Sequence, residues 1–137
     1  MTSRYTLSKN ERLKSLKAIR NLFEHGQKFK TSPLLIYYHF HERNAANADP
    51  FPLKMGVSVS AKYFKRAVDR NLLKRRMREA FRQQKLSLVA LLEQKHIMLD
   101  VFFVYAHASV SDYSVIWESM KTAIEKLSLI LEKNQPQ

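Results

Sequence analysis

The sequence contains no cysteine and only two glycines among its 137 residues. The lack of cysteine excludes a disulfide scaffold and a thiolate zinc site, and it is typical of a reducing compartment. Two glycines are too few for a glycine-rich phosphate loop. No apolar stretch approaches the length of a membrane span, and residues 1–20 lack the apolar core of a secretory signal. We therefore expect a cytoplasmic protein without a membrane partner.

Acidic residues are also scarce, with 12 Asp and Glu against 24 Lys and Arg, which gives a net charge of +12. The acids are scattered and form no close pair of the kind found in two-metal nucleases. Ser58 and Ser60 lack the accompanying His and Asp motif of a catalytic triad. His39 and His41 share one face of a predicted strand, but no third metal ligand lies nearby in sequence. The sequence therefore predicts no catalytic residue and no metal ligand in the protein.

The remaining composition, with 45% hydrophobic residues, predicts one globular domain that spans residues 1–137. Periodicity predicts a helix, two strands, a basic helix, a strand and a last helix, which together form an α+β sheet with its helices on one face. The predicted ranges are helix 15–25 closed by a left-handed Gly26, strands 34–40, 53–59 and 97–105, loop 41–52, and a helix after Asp112. A short strand near 28–30 is a further possibility, and 53–59 is expected to pair with 34–40.

The most informative segment is the run 62–85, which holds ten basic and two acidic residues and no Pro or Gly. Its residue types favour a helix. Leu73, Met77, Ala80 and Phe81 fall on one side of that helix, and Asn71, Arg75, Arg78 and Arg82 fall on the other, with Lys74 at the margin. So many cations on one rigid element repel one another unless a polyanion lies against them, and arginine suits bidentate contact with phosphate. The pattern therefore predicts nucleic-acid binding.

A second candidate feature is aromatic. Phe23 ends the first predicted helix, and Tyr37 and Tyr38 point to opposite faces of a predicted strand. Such rings stack on unpaired bases in some proteins and pack in the core in others, and the residue types alone leave both interpretations open.

Two segments resemble the signature of the bacterial ribonuclease P protein subunit. Gly56–Ser60 and Ala67–Arg82 follow its pattern G-x-S-V-S and then A-V-x-R-N-R-x-K-R-x-x-R-E-x-F-R. Arg12–Lys14, Leu22–Gly26 and Leu35–Tyr38 are also similar to the family, so the resemblance runs from about residue 7 to 131.

The resemblance implies an endoribonuclease that removes the 5′ leader of precursor tRNA. In that family the catalyst is an RNA subunit, Mg²⁺ is bound mainly by the RNA, and one protein per RNA holds the leader. The implied fold is a small two-layer α/β sandwich with a four-stranded sheet and helices, like the second domain of ribosomal protein S5. It has a left-handed βαβ crossover, whereas the general rule for parallel neighbours predicts a right-handed one.

The resemblance also assigns residues. It places Arg70, Asn71, Lys74, Arg75 and Arg78 either at the catalytic RNA or beside the bound metal and the leader. The predicted RNA-binding set further includes Lys62, Lys65, Arg66 and Arg82. It places Phe23, Tyr37, Ser58 and Val59 in a cleft for the leader. Two positions depart from the family pattern. Leu72 replaces the second motif arginine, for which Arg76 or Arg66 could substitute, and Ile19 replaces a third cleft aromatic.

Two other functions are compatible with a basic helix. A structured-RNA-binding protein such as a ribosomal component would bind RNA without promoting the cleavage of precursor tRNA. A DNA-binding domain would place the helix in a major groove, although a helix so crowded with charge is a poor reader of base edges.

Overall fold

A computed structural model of the chain describes residues 12–13, 15–42 and 51–133. Within these ranges the chain forms four helices and four strands. Their order is α1 (Leu16–His25), β1 (Gln27–Thr31), β2 (Leu34–Glu42), β3 (Leu53–Val59), α2 (Ala67–Gln84), α3 (Leu86–Lys95), β4 (Ile97–Tyr105) and α4 (Tyr113–Lys133). The α+β class and the short strand before β2 are confirmed. Of the predicted loop, residues 43–50 lie outside the described ranges.

The strands form one mixed sheet in the order β1-β2-β4-β3. β4 runs antiparallel to β2 and parallel to β3, so Phe102 pairs with Tyr37 on one side and with Gly56 on the other. The predicted pairing of β3 with β2 is wrong because β4 lies between them. β4 is buried over most of its length, which is the pattern of a central strand.

The sheet buries both faces, but unequally. The larger core lies between one face and helices α2, α3 and α4, and it includes Leu34, Ile36, Leu99, Val101 and Phe103. On the other face a smaller cluster joins Leu13, Leu22 and Phe102, and there α1 contacts β2. The expectation that all helices pack on one face is therefore wrong for α1, because its buried residue, Leu22, belongs to this second cluster.

The basic run is helical over a shorter range than the sequence predicts. Residues 62–66 form a turn and a short extended segment, and α2 begins at Ala67. One helical residue, Lys85, connects α2 to α3, which the sequence did not separate from the basic helix. The predicted apolar side of α2 is confirmed, since its four members Leu73, Met77, Ala80 and Phe81 are all fully buried.

The ends of α1 are fixed by two small residues. The hydroxyl of Ser15 accepts a hydrogen bond from the amide of Ala18 at 3.2 Å, which caps the helix. Gly26 is not left-handed as predicted, because its φ and ψ are −73° and 165°. A Cβ there would lie 2.5 Å from the carbonyl oxygen of Leu22, so glycine is needed for close approach rather than for an unusual φ.

The connection between β3 and β4 passes through α2 and α3 and returns parallel to its start. Its left-handedness remains a prediction of the family resemblance. The last helix begins directly after Asp112 as predicted, and the carbonyl of Asp112 accepts hydrogen bonds from the amides of Val115 and Ile116. In the described ranges, no helix combines the length and apolar character that crossing a membrane requires.

Candidate nucleic-acid interface

The side of α2 that faces away from the core carries the predicted cations. Asn71 and Arg75 are exposed, and Lys74, Arg78 and Arg82 are half-buried beside them. Lys62, Lys65 and Arg66 are exposed in the segment just before the helix. The structure therefore brings most of the predicted RNA-binding residues to one surface, which we call the α2 basic surface and define by Arg66, Asn71, Lys74, Arg75 and Arg78.

Arg12 extends this surface, and the sequence analysis did not select it. The amide of Leu13 donates to the carbonyl of Met55 at 2.7 Å, and Arg12 forms an isolated parallel bridge with Met55. This contact places Arg12 and Leu13 beside β3. Burial lowers the pKa of Arg78, and the nearby guanidinium of Arg12 lowers it further. Sequence could not reveal this proximity because the two residues are far apart along the chain.

The two arginines lack a counter-charge in the described part of the chain. None of the ion pairs there joins a carboxylate to Arg12 or Arg78. Two like charges held close together at a partly buried site repel one another, and a bound anion relieves that repulsion. The site therefore favours a phosphate between Arg12 and Arg78.

Arg82 differs from its neighbours because it is paired within the helix. Its guanidinium donates two hydrogen bonds to the carboxylate of Glu79, one of them from Nε at 3.1 Å. The hydrogen bond from Arg82 is the main cause that lowers the pKa of Glu79. Arg82 is therefore partly neutralised within the helix, although a partly exposed pair of this kind is easily exchanged for a phosphate.

Two further arginines hold the segments that flank α2. Arg70 donates from Nη1 to the carbonyls of Phe64, at 2.6 Å, and Lys65, at 2.9 Å. Arg76 donates to the carbonyl of Ser111 at 2.6 Å. Each guanidinium has further N–H donors, but these hydrogen bonds to backbone carbonyls hold both side chains in place. Arg76 is therefore a weak substitute for the arginine that the family has at Leu72.

The second surface is an aromatic cluster on the sheet face opposite the main core. The ring of Phe23 meets the edge of Tyr37 at 4.6 Å between centroids and that of Phe102 at 5.1 Å. Phe23 keeps 40% of its surface exposed, whereas Phe102 is buried beneath it. We call these three residues the aromatic cluster. Tyr38 faces the opposite way, as predicted, and its hydroxyl donates to Gln27 at 2.9 Å in the main core.

Polar groups surround the aromatic cluster. The ammonium of Lys28 lies 6.0 Å from the ring centroid of Tyr37. Ser58 follows the register of the strands onto the same face, because it pairs with Val104 two residues after Phe102. Sequence analysis missed Lys28 and Phe102, since only strand pairing brings them beside Tyr37.

The structure contradicts the placement of Val59 in the cleft, and it gives Ile19 a packing role. Val59 pairs with Tyr105, is 7% exposed and belongs to the main core, so it lies on the opposite face from Tyr37 and does not line the cleft. The strand alternation that puts Ser58 on one face necessarily puts Val59 on the other. Ile19 is half-buried against the smaller core cluster, where it packs rather than stacks.

The histidine pair on β2 does not complete a metal site. The rings of His39 and His41 stack at 5.6 Å, and Nε2 of His41 lies 3.6 Å from a carboxylate oxygen of Asp100. Across the ranges 12–13, 15–42 and 51–133, no three His, Asp or Glu side chains are grouped so as to hold a metal ion.

Comparison with known proteins gives a consistent result. Residues 7–128 match the family model described as Ribonuclease P. The chain is 34% identical over 131 residues to the ribonuclease P protein component of Porphyromonas gingivalis, covering 93% of this chain and 92% of the relative. It is 26% identical to the protein component of Chlorobium phaeobacteroides, covering 90% and 89% of the two chains.

Solved structures agree in fold. The ribonuclease P protein of Staphylococcus aureus superposes with a TM-score of 0.60 at 20% identity and covers 85% of this chain and 94% of that one. The protein from Thermotoga maritima gives a TM-score of 0.54 at 21% identity, with 92% and 99% covered. The family match spans nearly the whole chain and includes both the α2 basic surface and the aromatic cluster. The chain therefore belongs to the ribonuclease P protein family.

Proposed function

We propose that this chain, as a ribonuclease P protein component, binds the catalytic RNA through the α2 basic surface and the leader of precursor tRNA through the aromatic cluster. The observation that carries the proposal is the row of cations on the outward side of α2, where Lys74, Arg75 and Arg78 form no ion pair with a carboxylate in the described ranges. A ribonucleoprotein supplies the missing negative charge as phosphate.

The α2 basic surface suits an RNA backbone because its cations follow one side of a helix. Lys74, Arg75 and Arg78 lie about one turn or less apart, and Arg12 adds a cation from the neighbouring segment. Each phosphate contact releases counterions, so six to eight contacts give a logarithmic salt slope of roughly −4 to −7. Binding of this kind is strong at low salt and insensitive to sequence, as docking on a structured RNA requires.

The aromatic cluster suits an unpaired strand. Phe23 and Tyr37 have π-faces on which successive bases stack, and Lys28 lies beside Tyr37 to meet a phosphate. Phe102 supports both rings from beneath, since it is buried and touches Phe23 edge-on. Because mature tRNA lacks the leader, contacts at this surface strengthen the binding of precursor tRNA and not that of mature tRNA.

The protein's contribution to cleavage is electrostatic and positional. Its cations reduce the repulsion between the leader and the catalytic RNA, which lowers the amount of Mg²⁺ that the RNA needs. We assign Mg²⁺ mainly to the RNA subunit, as the family resemblance implies. A stoichiometry of one protein per RNA and a cytoplasmic location belong to the same proposal.

Reconstitution tests the proposal. The protein is mixed with a bacterial ribonuclease P RNA, and the cleavage rates of precursor tRNA are compared with and without it at low Mg²⁺. We expect cleavage at the mature 5′ end to accelerate, together with a lower KM for precursor than for a substrate with a one-nucleotide leader. Binding to the RNA without any change in cleavage would instead indicate a general structured-RNA-binding protein.

A further inference from the structure

The segment between β3 and α2 is built as a rigid support. Phe64 anchors it in the main core, with its ring centroid 5.8 Å from that of Tyr105. The amide of Lys62 donates to the hydroxyl oxygen of Ser60 at 3.1 Å, and the amide of Phe64 donates to the carbonyl of Ser60 at 3.1 Å. From the other side, Arg70 donates to two carbonyls of the segment. These contacts fix the backbone of residues 60–66 at both ends and at the centre.

This support carries an exposed aromatic ring that no core contact explains. Tyr63 is 54% exposed, although the residue after it, Phe64, is only 6% exposed. In the described part of the chain the ring makes a cation–π contact with the ammonium of Lys62, which lies 5.8 Å from its centroid. A tyrosine held on a fixed backbone, with more than half of its surface exposed, loses little conformational entropy when a flat partner binds it.

The charges around the ring identify that partner. Lys62, Lys65 and Arg66 are all exposed in the same short segment, and Asp69 is the first acid after them in sequence. A protein or lipid partner would have to supply negative charge and a flat ring together, whereas a nucleotide carries both. In double-stranded RNA the bases are already stacked, so only an unpaired nucleotide has a free face.

We propose that Tyr63 stacks on an unpaired RNA base while Lys62, Lys65 and Arg66 hold the flanking phosphates. This inference rests on the proposed function, and it adds a binding site separate from the aromatic cluster. Tyr63 belongs to the segment before α2, whereas Phe23 and Tyr37 lie on α1 and β2. The nucleotide comes either from the catalytic RNA or from the precursor, and the experiment separates these two sources.

The test uses the full chain and a bacterial ribonuclease P RNA. We expect Tyr63→Ala to weaken the affinity at the affected step about tenfold, and Tyr63→Phe to change it by less than about twofold, because stacking needs the ring and not the hydroxyl. Tyr63→Leu keeps apolar bulk without a π-face and should resemble the alanine variant. Leu129→Ala is the matched control, since Leu129 is similarly exposed, at 56%, on α4.

Salt dependence separates stacking from charge. Tyr63→Ala should lower the affinity without changing the salt slope, whereas Lys65→Ala should reduce the slope by about one unit. A loss in binding of the protein to the RNA alone assigns the nucleotide to the catalytic RNA. A loss only in binding of precursor by the assembled holoenzyme assigns it to the precursor.

The inference fails if Tyr63→Ala and Tyr63→Leu match the wild type in both binding steps while Arg75→Ala weakens RNA binding. That result leaves the proposed function intact, because the α2 basic surface would still bind. If the wild-type protein itself does not bind the RNA, the proposed function and the inference fail together.

Discussion

Gly56→Ala is the substitution that connects the fold most directly to the proposed leader surface. Gly56 lies on β3 opposite Phe102, and a Cβ built there would lie 2.5 Å from Cε2 and 2.7 Å from Cδ2 of that ring. Ordinary carbon contacts are about 3.5 to 4.0 Å, so the ring must move by roughly 1 Å. Phe23 touches the ring of Phe102 edge-on, so the displacement reaches the aromatic cluster.

Two effects of opposite sign decide the magnitude. Replacing glycine by alanine in a strand restricts the unfolded chain and gains about 0.4 to 1 kcal/mol where the backbone is compatible. Overpacking a filled site costs about 1 to 3 kcal/mol. The overpacking is larger, because Phe102 is buried and its ring packs against Phe23. We expect a net loss of about 1 to 2 kcal/mol in the free energy of unfolding, a decrease of roughly 3 to 10 °C in Tm.

Urea unfolding measures the change in the free energy of unfolding. The ratio of the affinities for precursor and mature tRNA measures the effect on the aromatic cluster. Ser87→Ala is the control, since Ser87 is exposed on α3, which packs on the opposite face of the sheet from the aromatic cluster. The double variant Gly56→Ala, Phe102→Leu should recover part of the lost stability because the smaller side chain makes room for the Cβ. A stable Gly56→Ala protein with unchanged leader selectivity would refute the argument, since it would mean that Phe102 can move freely.

Two further predictions concern the aromatic cluster and the paired arginine. Tyr37→Ala should weaken the affinity for precursor tRNA about tenfold and leave the affinity for mature tRNA unchanged. An equal loss of affinity for both RNAs would show that Tyr37 does not belong to the leader surface. Hydrogen bonding by Arg82 lowers the pKa of Glu79 in the folded state. The ionised Glu79 therefore stabilises the fold above its unfolded pKa of about 4.3, and this stabilisation is lost as the pH falls through the lower folded pKa. Acid titrations of unfolding free energy should therefore be shallower for Glu79→Gln than for the wild type, by a small amount because the pair is partly exposed; superimposable curves would contradict the linkage.

Local periodicity was sufficient to predict most of the elements. The buried side of α2 follows from helical spacing alone, and the strand 97–105 follows from a continuous apolar run, which the structure confirms at both ends. The boundary at Ala67 and the separate helix α3 were not predictable in this way. The turn before α2 is fixed by a side-chain hydrogen bond from Arg70 and by the packing of Phe64 on Tyr105 across the fold. Lys85 has helical backbone angles, so no helix-breaking residue marks the junction of α2 and α3.

The site depended more on long-range pairing. The resemblance assigned Phe23 and Tyr37 to one surface, and the structure places their rings together. Phe102 and Lys28 joined them only when the strand order was known, because each lies on a different strand from Tyr37. Val59 was misplaced although strand alternation already separates it from Ser58, so here the family resemblance overrode a physical rule that was correct.

The account depends on the α2 basic surface binding RNA phosphates, and the salt dependence of RNA binding tests this directly. The logarithmic affinity for a bacterial ribonuclease P RNA is measured against logarithmic salt concentration for the wild type, for Arg75→Ala with Arg78→Ala, and for Lys121→Ala with Lys133→Ala on α4. The two variants lose the same charge. We predict that the slope becomes less negative by about two units for the first variant only. Equal slopes for all three proteins, or an equal change in both variants, would contradict the account.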